Sequence, residues 1–108
     1  MKEIRAYIQP HKLSQITMAL ISIPGFPGMT VNDCEGFGSE RTEQGQDYKP
    51  YLAKRLIEIF APDNMVDIIF ETIMKIAQSG NHGDGKVYVL DVLKGGRIST
   101  GEVDGDLG

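Results

Sequence analysis

Cysteine occurs once in the 108 residues, as Cys34, so no internal disulfide can form, and such usage fits a reducing compartment. Long apolar runs are missing too. Nothing approaches the length of a membrane-spanning helix, and Met1-Lys2-Glu3-Ile4-Arg5 lacks the apolar stretch of a secretory leader. A cytoplasmic protein with no membrane insertion is the expectation. Basic residues are in deficit, 11 against 15 acidic, and the resulting charge of −4 argues against a general binder of nucleic acid or anionic lipid. What is present, 41% hydrophobic and 24% charged residues, suits an ordinary globular domain, with length for one core but not two.

Ile4, Ala6 and Ile8 alternate with Arg5 and Tyr7 as in a strand, and Pro10 ends the run. Leu13, Ile16, Leu20 and Ile23 recur at helical spacing up to Pro24-Gly25, and Met29 to Cys34 reads as a second strand. From Gly36 to about Ala53 periodicity vanishes. A polar stretch of that length inside a small domain is uncommon, and it marks residues 39–53 as a candidate moving part. Leu56 to Phe60 is strand-like, and Asp63 or Asn64 is the expected N-cap of a helix striped by Val66, Ile69, Ile73 and Ile76. Gly80 is its expected stop. Val87 to Leu93, apolar on both faces, predicts a strand covered twice, and Arg97-Ile98-Ser99 a short further one.

The order βαββαβ is that of a ferredoxin-like α+β sandwich, a four-stranded antiparallel sheet with two helices on one face. Its other face, with Tyr88, Leu90 and Val92, stays apolar and uncovered in a monomer. Closed self-association through that face is the economical solution.

The segment Gly80-Asn81-His82-Gly83-Asp84-Gly85-Lys86 carries the chemistry. Three glycines in six residues let successive backbone N–H groups turn toward one point and leave room for a phosphate, with Lys86 as the cation. The same residues also suit a plain helix stop and turn.

Several further stretches, taken with this loop, resemble the PII signal-transduction proteins. They are Met1-Lys2-Glu3-Ile4 with Pro10 and Lys12-Leu13, Gly28-Met29-Thr30-Val31, Gly36-Phe37-Gly38, Ile57-Glu58-Ile59, Pro62-Asp63, Gly83-Asp84-Gly85-Lys86-Val87, and Arg97-Ile98 with Thr100-Gly101-Glu102. The resemblance implies a homotrimer that binds adenine nucleotides (ATP, ADP or AMP) in clefts between subunits and regulates a membrane transporter or enzyme. Residues 39–53 would be the T-loop that docks on the client, 80–86 the phosphate-holding B-loop, and 97–108 the C-terminal loop closing the cleft from a neighbour. Nucleotide contacts would come from Gly28, Met29, Thr30, Gly36, Phe37, Gly38, Gly83, Asp84, Gly85, Lys86 and Arg97. Ser39, Glu40, Tyr48, Lys54 and His82 would be further ligand or partner contacts.

The chain departs from the family pattern at Ser39 and Glu40, where the family has arginine and glutamine, and at Ser99, where it has a second arginine. The pair tied to phosphate, magnesium and 2-oxoglutarate is thus missing, which weakens the case for ATP and favours less charged ligands. The loop is about five residues short, and the stretch bearing the uridylylated tyrosine is absent. A divergent branch is the expectation. Two other readings compete. His11, Cys34 and His82 offer imidazole and thiolate ligands, as in a CutA-like trimer linked to heavy-metal handling, but match no compact metal motif. A small ferredoxin-like hydrolase would need a nucleophile and base pairing, and none is evident.

Overall fold

The computed structural model describes residues 1–37 and 51–103. Strand β1 (Lys2–Ile8), helix α1 (Leu13–Ile21), β2 (Thr30–Gly36), β3 (Leu52–Ala61), helix α2 (Val66–Ala77) and β4 (Gly85–Asp91) follow in chain order. The strands form one antiparallel sheet in the order β2-β3-β1-β4. The expected ferredoxin-like architecture is therefore present. A separate hairpin pairs β5 (Gly96–Arg97) with β6 (Glu102–Val103).

Alternation decides which side of the sheet is dry. Ile4, Ala6 and Ile8 of β1 and Ile57, Ile59 and Ala61 of β3 share one face and are buried against Ile16 and Leu20 of α1 and Val66, Ile69, Ile73 and Ala77 of α2. The opposite face carries Leu52, Phe60, Tyr88 and Leu90, all exposed in the single chain. Arg5 crosses it, bonding the carboxylate of Glu3 at 3.0 Å and lying 3.9 Å from that of Glu58.

Four boundaries differ from the sequence expectation. Strand β3 begins at Leu52, four residues before Leu56, because Leu52 to Arg55 pair with Gly36 to Asp33 in register although Lys54 and Arg55 interrupt the apolar pattern. Neither Asp63 nor Asn64 caps α2: a 3₁₀ turn, Asp63–Met65, leads into it, and the Asp63 carboxylate accepts from the N-terminal ammonium at 2.9 Å. That helix ends at Ala77, where Gln78 turns extended, so Gly80 is not its stop. Gly80 instead has φ +85° within the following turn. Strand β4 ends at Asp91, which leaves Val92 beyond the sheet.

Candidate functional site

The turn between α2 and β4 is built around one carboxylate. Asp84 accepts from the backbone N–H groups of Ser79 (2.6 Å), Gly80 (3.0 Å) and Asn81 (3.3 Å), from the Ser79 hydroxyl, and from Gln9 Nε2 at 3.1 Å. These donors, the Ser79 hydroxyl foremost and its backbone N–H next, hold the Asp84 carboxyl below its ordinary range. A depressed carboxyl stabilises the fold above its unfolded value, about 3.9, and that support is lost as pH falls through the lower folded value. The turn is thus expected to stay closed through neutral and mildly acidic pH and to loosen only in stronger acid. Asp84→Asn should open it at neutral pH, read as faster hydrogen exchange at Ser79, Gly80 and Asn81; unchanged protection would show that the carboxylate is not the organiser.

Past Asp84 the chain passes through Gly85 with φ +112° and enters β4, so that Lys86 stands opposite Tyr7. Across the sheet, Lys54 Nζ donates to the carbonyl of Gly83 at 2.6 Å, which ties the start of β3 to the glycine turn. Between them lies a groove of about 280 Å³, lined by the end of β2, the start of β3 and the turn. Gly36, Phe37, Lys54, Gly83, Gly85 and Lys86, all expected site residues, meet there. Tyr7, Leu52 and Tyr88 join them, as do Cys34 and Glu35. The alternation marks Tyr7 and Tyr88 only as strand residues, and Leu52 falls in the stretch where periodicity vanishes; strand register brings all three to the groove.

Other expected residues stand elsewhere in the single chain. Thr30 pairs with Glu58 at the far end of β2, six residues from Gly36, and Met29 packs against the core. At about 3.3 Å per residue that separation is on the order of 20 Å. Arg97 lies in the small hairpin, with Nε 3.7 Å from the Glu102 carboxylate. Gly38, Ser39, Glu40 and Tyr48 lie outside the described residues, and His82 is placed by its backbone in the 3₁₀ turn His82–Asp84. Among the described residues, no three His, Cys, Asp or Glu side chains gather to hold a metal ion, and no helix is long and apolar enough to cross a membrane. His11 sits in the exposed turn after β1, and Cys34 donates to the Lys54 carbonyl at 3.6 Å.

Comparison with known proteins meets this geometry from another side. The family model for nitrogen regulatory protein P-II matches residues 1–102. Nitrogen regulatory protein P-II 1 of Escherichia coli K12 is 45% identical over 96% of this chain and 96% of its own. The P-II proteins of Klebsiella oxytoca, 44% identical over 96% of both chains, and Haemophilus influenzae, 40% identical over 98% of both, are similar in the same way. These relatives carry the name of regulatory proteins. With the match running through the glycine turn and Lys86 and across almost the whole fold, the chain belongs to the P-II nitrogen regulatory protein family.

Proposed function

We propose that this protein is a homotrimeric signalling regulator that senses adenine nucleotides in clefts between subunits and acts on a transporter or enzyme through residues 39–53. A role in nitrogen regulation, taken from the name of its relatives, is part of the same reading. The observation that carries it is the meeting of the glycine turn and Lys86 with the base of the β2–β3 hairpin in one groove. A ligand there touches the segment that leads into residues 39–53, so occupancy and loop shape are linked by contact. Gly83 adds support: a side chain there would meet nothing within 4 Å and its φ is not positive, so nothing in the single chain requires glycine. Close approach of a phosphate to its backbone supplies the reason.

Two features support assembly. The sheet face bearing Phe60, Tyr88 and Leu90 lacks a cover in one chain. Thr30 and Arg97 lie apart from the groove of their own subunit, and a second copy is the means of bringing them to one. With Ser39 and Glu40 in place of the family's arginine and glutamine, magnesium and 2-oxoglutarate are not part of the proposal.

Calorimetric titration with ATP, ADP and AMP tests the reading. Lys86→Ala removes a charge-assisted contact worth about 1.5–3 kcal/mol, so it should weaken binding by roughly ten- to a hundredfold. Gly83→Ala should leave the melting temperature within a few degrees of the parent while impairing binding. Wild-type protein that takes up none of the three nucleotides would refute the sensing role.

A further inference from the structure

Resting on that reading, we infer that Lys54 is the positioning residue that couples the groove to the base of residues 39–53, by fastening the open end of the β2–β3 hairpin to the glycine turn. Strand β1 ends at Ile8, opposite Arg55 on one side and Gly85 on the other, so short of Arg55 the first residues of β3 have only β2 beside them in the ladder. The pairs Cys34–Lys54, Glu35–Ala53 and Gly36–Leu52 thus form a two-stranded stem that runs past the four-stranded sheet. Leu52 and Ala53 are exposed there, and Cys34 donates within the stem, to the Lys54 carbonyl. A two-stranded ribbon of that kind is marginal in water.

Lys54 crosses the gap that the end of β1 leaves. Its ammonium donates to the Gly83 carbonyl at 2.6 Å, and among the described residues this is the one side-chain hydrogen bond from the stem to the rest of the fold. The ionised donor makes it stronger than a neutral bond. Its acceptor belongs to no strand: Gly83 lies in the 3₁₀ turn His82–Asp84, which is held shut through the Asp84 carboxylate. A ligand that settles against the backbone of this turn immobilises the carbonyl, and so reduces the entropy lost when Lys54 binds it. Occupancy then orders the stem, and by linkage an ordered stem strengthens occupancy. In this division Lys86, opposite Tyr7 on β4, faces the ligand, whereas Lys54 acts through Gly83.

The test is amide hydrogen exchange on the full chain, comparing the parent with Lys54→Met and Lys54→Arg, each without ligand and at its own saturating concentration of ADP. Without ligand, Lys54→Met should exchange roughly tenfold or more faster at residues 34–36 and 52–54, the factor expected for losing a hydrogen bond from a charged group. The buried residues of α2 should not change, and Lys54→Arg, which keeps a cationic donor, should stay near the parent. ADP should slow exchange in the stem of the parent and of Lys54→Arg, but not of Lys54→Met. Stem exchange unmoved by Lys54→Met, or slowed by ADP as much in that variant as in the parent, overturns the proposal while the sensing role stands. Absence of ADP binding by the parent overturns the sensing role and the coupling with it, and the ligand-free comparison still decides whether Lys54 fastens the stem.

Discussion

Gly85→Ala is expected to destabilise the fold severely. An alanine Cβ at this position would lie 1.8 Å from the Tyr7 carbonyl oxygen and 2.9 Å from its carbon, and both are backbone atoms of β1. No side chain can swing aside to relieve such a contact. Gly85 also has φ +112°, where L residues are strained, and it is the ladder partner of Ile8. Relief requires pulling the first residues of β4 away from β1, which breaks the ladder and detaches the glycine turn. A loss of about 3 kcal/mol is a large part of the ~5–15 kcal/mol that a domain has in total. The melting temperature should drop by about 15 °C or more, against little change for Gly83→Ala. A Gly85→Ala protein melting within a few degrees of the parent would mean that the β1–β4 junction is not as described.

Leu90→Lys is expected to dissociate the assembly. Leu90 is exposed on the sheet face opposite the helices, and its ladder partner Glu3 accepts from Arg5. A lysine there finds a carboxylate next to it, so the single subunit keeps its fold. An ammonium buried between subunits would be desolvated at a cost of several kcal/mol in each copy. Size-exclusion chromatography with light scattering should show the parent as trimer and the variant as monomer, with nucleotide binding lost in step. A variant that stays trimeric would show that assembly does not use this face.

How far the sequence foretells this molecule depends on whether each feature is local. Alternation in Ile4, Ala6 and Ile8 and the stripe of Ile69 and Ile73 announce the buried face directly, because each records one element's exposure to one layer. The start of β3 is hidden because Lys54 and Arg55 serve other roles: Lys54 reaches the Gly83 carbonyl, and Arg55 pairs with Asp33 at 2.9 Å. Asp63 looks like a helix cap but is claimed by an ammonium 62 residues away, a contact no local pattern carries. The site divides the same way. Its glycines and Lys86 stand out as a motif, whereas Tyr7, Tyr88 and Leu52 enter only through the register of three strands. Glycine spacing leaves the work of Asp84 undeclared: the donors around it, from Gln9, Ser79 and Gly80, make it the closure of its own turn.

Native mass spectrometry of the full chain titrated with ADP tests the central claim most directly, since it reads assembly and occupancy together. The account predicts a trimer that takes up three nucleotides, with uptake strongly reduced by Lys86→Ala while the trimer persists. A monomer, or a trimer that binds no nucleotide across the titration, would contradict it.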